Sequence, residues 1–282
     1  MRGAEVLSPA PGASWLFCPA DRPERYARAL NSASTVIIDL EDAVAAERKR
    51  EARGTLLANT DLLDPTRTIV RVNALDTPYG HADIEALQGT MLRTVMLPKA
   101  STAAEVESLE AFEVIALCES AAGVLAAEEL ALAHNCVGIT WGGQDLALDL
   151  GAPATRDDAG DLKPFALHAR TTVRYAAAKA QIPAIDTVWI AMDDLDGLFR
   201  EARSAADEGF VAKLAIHPSQ VGAIEKAFVP TEDQVEAARR VVAAAEQVGD
   251  GAAASGGQML DRPVFEQARA TLARAKNEPD WV

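Results

Sequence analysis

Long apolar runs are missing from this chain. None approaches the roughly 20 residues that cross a bilayer as a helix, so membrane insertion is not expected. Cysteine is scarce. Cys18, Cys118 and Cys136 are the only three, they sit in or beside apolar segments, and their spacing matches no metal-ligand pattern. Buried thiols in a reducing, cytoplasmic setting are the expectation. Positive charge is outnumbered, 27 Lys and Arg against 42 Asp and Glu, for a net charge of −15. That balance argues against a nucleic-acid groove or an anionic membrane surface as partner. Residues 1–13 lack a hydrophobic signal segment and read as a loose tail. There is no low-complexity tract and no internal repeat beyond an alternation of strand and helix signals.

What is present is a globular composition, 49% apolar and 24% charged over 282 residues. That length suits one barrel-sized domain or two ordinary ones. The stretch from Val114 to Gly151 organises the rest. Two apolar runs, Val114–Leu117 and Val137–Thr140, end in polar clusters that carry Glu119 and then Gly142, Gly143, Gln144 and Asp145. An Ala/Leu/Glu-rich helical segment lies between them. An acid just past each of two successive strands can hold a hard cation such as Mg²⁺, or can be only a loop acid and a helix cap.

Six further runs read as strands: Trp15–Cys18, Thr35–Leu40, Thr68–Val72, Thr94–Leu97, Ile185–Ile190 and Val211–Ile216. Asp39, Glu41 and Asp42 crowd the end of the second. Buried acids are costly unless paired or used. Arg71 interrupts the third, and a buried arginine needs an anion, from a side chain or a substrate. Lys99 follows the fourth strand and His217 the eighth. Arg22 and Arg25, after the first, face either solvent or an anion. Ser101–Leu109 reads as a helix capped by Ser101, with Ala104 breaking a strict capping box. Asp193, Asp194 and Asp196 lack the spacing of a calcium loop and read as solvated acids and an N-cap. Eight strand signals separated by helices predict a parallel (β/α)8 barrel of the TIM type over residues 14–230, with its site at the strand C-termini. Residues 231–282 read as a C-terminal helical extension that packs on the barrel, on a neighbour, or over the mouth as a lid, with a turn-rich stretch at Gly249–Gln258.

Taken in order, LFCPADRPERYARAL, VIIDLEDAV, VRVNAL, VMLPKA, LCESAAG, GGQDLALDLG, GFVAKLAIHPSQ and GQMLDRPV resemble the citrate lyase β-subunit-like proteins of the HpcH/HpaI aldolase group. That group also holds malyl-CoA and citramalyl-CoA lyases. The resemblance spans roughly residues 14–275. It implies a Mg²⁺-dependent carbon–carbon lyase that cleaves or forms a 3-hydroxyacyl-CoA thioester, with acetyl-CoA and a 2-keto acid as the other side of the reaction. It also implies roles. Glu119 and Asp145 match the Mg²⁺ ligands, and Arg71 matches the arginine that steadies the carbonyl or enolate oxygen. The amides around Gly142, Gly143, Gln144 and Asp145 match a carboxylate cradle. Asp39, Glu41 and Asp42 match a second-strand acidic motif acting through metal-bound waters and Arg71. Asp261 matches a tail aspartate that reaches the site of an adjacent subunit as acid/base, in a homotrimer or homohexamer. Lys99 and His217 are strand-end candidates for holding an anionic ligand, with Lys99 alternatively a satisfied ion-pair partner. Two alternatives stay open: an aldolase of free 4-hydroxy-2-keto acids, and a β-subunit acting on acyl-carrier thioesters within a complex. Two departures stand out, Gln144 where many relatives carry Glu, and Ala212 where the usual motif has Gly.

Overall fold

The eight apolar runs form eight strands that pair in parallel and in chain order, β1 through to β8 and back to β1, as a closed barrel. The computed structural model describes residues 12–248, 253–255 and 258–276. The expected tail therefore lies outside the described residues up to residue 11, as do parts of the Gly249–Gln258 stretch. The strands are β1 Ser14–Pro19, β2 Thr35–Asp39, β3 Thr68–Arg71, β4 Thr94–Leu97, β5 Glu113–Cys118, β6 Cys136–Trp141, β7 Ala184–Asp186 and β8 Ala212–Ala215. They are mostly apolar on both faces, because one face packs inward and the other lies under a helix. Trp15, Ile37, Ile69, Met96, Ile115, Leu117, Ile185 and Leu214 fill the barrel interior. The alternate residues, such as Val36, Ile38 and Val70, join the larger core beneath the helices.

The connecting helices are α1 Tyr26–Ser32, α2 Lys49–Ala58, α3 Gly80–Leu87, α4 Ala103–Glu107, α5 Ala121–Leu125, α6 Ala127–Leu132, α7 Gly143–Asp149, α8 Pro164–Ala180, α9 Leu195–Asp207 and α10 Val221–Phe228. Asp194 caps α9 by accepting from the Gly197 amide at 2.8 Å, as the aspartate cluster predicts. The cap of α4 is Thr102, not Ser101. One residue later the capping box is complete, with Glu105 as its reciprocal partner, and Ser101 also donates to that carboxylate. The seventh strand is shorter than the run Ile185–Ile190 predicts. Its continuation loses ladder partners to side chains: the Thr187 carbonyl accepts from Lys213 Nζ at 2.7 Å, and the Trp189 carbonyl accepts from Gln220 Nε2 at 2.8 Å.

Beyond the barrel, α11 (Glu232–Val248) and α12 (Arg262–Lys276) pack on each other through Val241, Ala244, Ala245, Val264 and Phe265. Between them the stretch read as turns contains a short antiparallel pair, β9 Ala253–Ser255 with β10 Gln258–Leu260. Arg274 Nη1 donates to the Ala206 carbonyl at 3.0 Å, at the end of α9 that leads into β8. That end lies at the barrel base, opposite the mouth. No helix among the described residues is long and apolar enough to cross a membrane.

Candidate active site

The strand register builds the site. Asp39 and Arg71 are register partners on β2 and β3, and inward alternation turns both toward the barrel axis at its C-terminal end. Asp39 is buried, and its carboxylate accepts from the Glu41 amide at 2.9 Å and the Ala43 amide at 3.1 Å. Arg71 grips it with two parallel bonds, Nε to Oδ1 at 2.8 Å and Nη2 to Oδ2 at 2.5 Å. Its remaining nitrogen, Nη1, lies 3.1 Å from Glu41 and 3.4 Å from the exposed Asp42. The guanidinium rests over the Phe17 ring, 4.6 Å from its centroid. Buried Lys49 pins the same loop through the Leu40 and Glu41 carbonyls, at 2.9 and 2.6 Å. The sequence leaves open whether Arg71 meets a protein acid or a ligand, and in this fold three acids surround it.

Across the mouth, Glu119 follows β5 and Asp145 sits in the first turn of α7 after β6. Lys99 stands between them and β2. Its Nζ donates to Glu41 Oε1 at 2.8 Å and lies 3.7 Å from Glu119 and 3.6 Å from Asp145. Its backbone is left-handed, φ +52°, a conformation that costs a side-chain-bearing residue energy. That turn aims the Lys99 amide at Glu119 Oε1, 3.0 Å away. Burial, with the Glu41 and Asp145 charges, pushes the Glu119 carboxyl up to about 8 against the pull of Lys99. Burial also raises Glu41 despite the adjacent Arg71. Lys99 is raised even though desolvation opposes its charge, because Glu41, Glu119 and Asp145 all favour it.

Gly142 is required by close approach. A Cβ there would lie 2.7 Å from both Cβ and Oε2 of Glu119. Gly143 has more room: a Cβ there would lie 3.1 Å from Thr155 and 3.2 Å from Trp141. Gln144 reaches Thr155 Oγ1 at 3.5 Å and itself lines the mouth cavity of about 380 Å³. Asp39, Asp42, Arg71, Glu119, Gly142, Gly143, Gln144 and Asp145 all line that cavity. Among the described residues no cluster of three or more His, Cys, Asp or Glu side chains is arranged to hold a metal. Glu119 and Asp145 share the mouth cavity, each within 4 Å of the Lys99 ammonium. No protein hydrogen bond to the Asp145 carboxylate is found among those residues.

His217 does not join this group. Its Nδ1 accepts from the Ser219 amide and pairs with the Ser219 hydroxyl at 2.7 Å, capping the turn before α10. It lines an adjoining cavity of about 350 Å³ with Arg25 and Arg28, which shares Phe17, Pro19 and Ile216 with the mouth. Asp261 is exposed at the start of α12, and among the described residues its hydrogen bonds run from Val264 and Phe265 of its own helix. Ala212 is buried in the barrel interior and does not line the mouth cavity, so its extra carbon leaves that space unchanged.

One cluster escapes the sequence reading. Asp186 of β7 faces outward, fully buried, and accepts from Trp141 Nε1 at 2.9 Å, Arg170 Nε at 3.1 Å and Lys213 Nζ at 2.9 Å. Lys213 also reaches Glu201 of α9 at 2.8 Å. The Lys213 and Arg170 charges hold Asp186 below the ordinary carboxylate range in spite of its burial. This network fixes Trp141, the last residue of β6, and with it the turn that presents Gly142 to Asp145. Its signal in the sequence is an acid and a lysine inside two successive apolar runs.

Comparison with known proteins agrees with the barrel fold. The family model described as HpcH/HpaI aldolase/citrate lyase matches residues 13–218, and one described as a C–C bond lyase of the TIM-barrel fold matches residues 165–277. A citrate lyase subunit beta-like protein of Mycobacterium tuberculosis is 46% identical over 94% of this chain and 96% of its own length. A (3S)-malyl-CoA thioesterase of Cereibacter sphaeroides is 34% identical over 94% and 95%. The crystal structure of CitE from M. tuberculosis in complex with magnesium, acetoacetate and coenzyme A superimposes with a TM-score of 0.91 at 46% identity, covering 95% of this chain and 99% of that one. A chain whose barrel strand ends gather acids around a clamped arginine, and nearly three quarters of which is matched by one family model, belongs to the HpcH/HpaI aldolase/citrate lyase family.

Proposed function

We propose that this protein is a Mg²⁺-dependent carbon–carbon lyase acting on a 3-hydroxyacyl-CoA thioester of the malyl-CoA or citramalyl-CoA type. The observation that carries the reading is that Glu119, Asp145 and Arg71 line one mouth cavity, in a chain so similar to a protein crystallised with magnesium, acetoacetate and coenzyme A. The donors suit the ion. Two carboxylates offer hard oxygen ligands, and Mg²⁺ characteristically binds one or two carboxylates while keeping its other positions for water and substrate. Glu119 and Asp145 would hold it. When bound it supplies Lewis-acid polarisation of a carbonyl or hydroxyl oxygen.

The chain's own groups account for the rest. Arg71 offsets negative charge on the thioester oxygen as the enolate develops. Asp39, through its two bonds, keeps the guanidinium in one plane, while Glu41 and Asp42 order the surrounding water. The amides from Gly142 to Asp145 receive the keto-acid carboxylate. In cleavage a base takes the 3-hydroxyl proton, the C–C bond breaks to give the enolate and the 2-keto acid, and an acid returns a proton to the enolate carbon. Asp261 has no path to its own mouth through its described bonds, and in this reading it serves the site of a neighbouring subunit in a homotrimer or homohexamer. The cavity holding Arg25, Arg28 and His217 adjoins the mouth across Phe17 and gives a CoA phosphate a cationic resting place. That favours the thioester over a free keto acid.

Mass-resolved assays with Mg²⁺ on malyl-CoA, citramalyl-CoA and β-methylmalyl-CoA test the reading. Acetyl-CoA or propionyl-CoA plus a keto acid is the expected product; turnover of free 4-hydroxy-2-keto acids alone would sink it. Free CoA and a dicarboxylic acid instead would mark the hydrolytic variant that the thioesterase relative suggests. Mixing inactive Asp261→Ala and Glu119→Gln subunits should restore activity if Asp261 works across the interface. Gly142→Ala should lower turnover by about 10²-fold, since displacing a reactive carboxylate by an ångström costs that much; steady-state kinetics at wild-type levels would refute the close-approach argument.

A further inference from the structure

We infer that Lys99 is a resident cation that competes with the divalent ion for the carboxylates of the mouth. The inference rests on the Mg²⁺ reading and adds a determinant of metal affinity to it. Among the described residues the mouth gathers five carboxylates, Asp39, Glu41, Asp42, Glu119 and Asp145, against two cations, Arg71 and Lys99. Arg71 is committed to the β2 side. Lys99 alone lies within 4 Å of acids from three strand ends, Glu41 after β2, Glu119 after β5 and Asp145 after β6.

Two features separate this from an ordinary ion pair. The first is the strained turn. The left-handed backbone of Lys99 directs both its amide and its ammonium to the same acidic cluster, so the residue orients Glu119 and neutralises it together. The second is the division of contacts. The ammonium makes a hydrogen bond only to Glu41; toward Glu119 and Asp145 it stands at 3.6–3.7 Å, close enough to neutralise them without binding them. The side chain is 44% exposed, on a flexible stem, and Glu41 retains it when a dication takes the other two acids. Metal-free protein is thus held together by Lys99, and Mg²⁺ must displace its share of the charge. A lysine placed only to bind an anionic ligand would not sit among three acids.

The test is Mg²⁺ titration by calorimetry, without substrate, on wild type, Lys99→Met, Lys99→Gln and Lys99→Arg. Removing a unit charge from within 4 Å of both ligands should tighten Mg²⁺ by about tenfold or more in the two neutral variants. The arginine variant, which keeps the charge, should stay within about threefold of wild type, a factor far below the cost of a unit charge at this distance. Metal-free melting should fall in the neutral variants and recover further on adding Mg²⁺ than in wild type. Wild type that binds Mg²⁺ with neutral variants binding equally or more weakly overturns the role of Lys99 and leaves the metal reading standing. Absence of Mg²⁺ binding in every form overturns both. Binding that appears only in the neutral variants supports the competition.

Discussion

Glu119→Gln should reduce thioester cleavage by about 10³-fold or more and remove measurable Mg²⁺ binding in the absence of substrate. The side chain keeps its shape and its bond from the Lys99 amide, but loses the charge that holds the ion. A Lewis acid contributes several kcal/mol to such a transition state, and each 1.36 kcal/mol is about tenfold in rate. The loss should not arise from unfolding. Burial pushes the Glu119 carboxyl up to about 8, so its protonated form favours the fold, and that contribution fades as pH climbs from the ordinary carboxylate range toward 8. Gln carries no such penalty. Metal-free Glu119→Gln should therefore melt no lower than wild type at pH 8.5. Retained turnover, or retained Mg²⁺ binding by calorimetry, would remove Glu119 from the metal site.

Arg71→Met should be the more damaging change to the fold. It strips Asp39 of two charge-assisted bonds and leaves Glu41 with Lys99 in place of its two cationic partners. Breaking a buried pair from one side costs about 3–5 kcal/mol, because the surviving charge remains buried. The Glu41 and Ala43 amides still serve Asp39, which places the expected loss at the lower end of that range. Urea unfolding measures it, and a shift under about 1 kcal/mol would show that the acids simply protonate or turn to solvent. Arg71→Lys separates structure from chemistry. It keeps a charge but not the two-pronged grip, so it should recover part of the stability while turnover stays about 10²-fold down, the loss typical of an oxyanion contact.

Much of the mouth was readable along the chain because strand periodicity is regular. Counting alternate residues from Ile37 and Ile69 turns Asp39 and Arg71 to the same side, and the register places them opposite each other. Glu119 and Asp145 were readable as acids just past successive apolar runs. The cap of α4 was missed by one residue, since Ser101, Thr102 and Glu105 all exchange hydrogen bonds and only backbone geometry chooses among them. The length of β7 was overestimated, since the run stays apolar after its carbonyls have turned to Lys213 and Gln220. His217 follows a strand as the sequence indicates, but its Nδ1 caps the next turn and the residue lines the adjoining cavity with Arg25 and Arg28, a placement that no local pattern signals.

The sequence alone determined the alternation of eight apolar runs with helices, and the acids, arginine and lysine at their ends, because those depend only on local periodicity and residue type. Closure of the barrel decided the rest. Bringing β8 back to β1, and β2 across from β5 and β6, set Lys99 among Glu41, Glu119 and Asp145, residues far apart in the chain that no local pattern connects. It also buried Asp186, Arg170 and Lys213 together behind the site. Which charges become partners is a property of distance in three dimensions, and only the closed barrel fixes those distances.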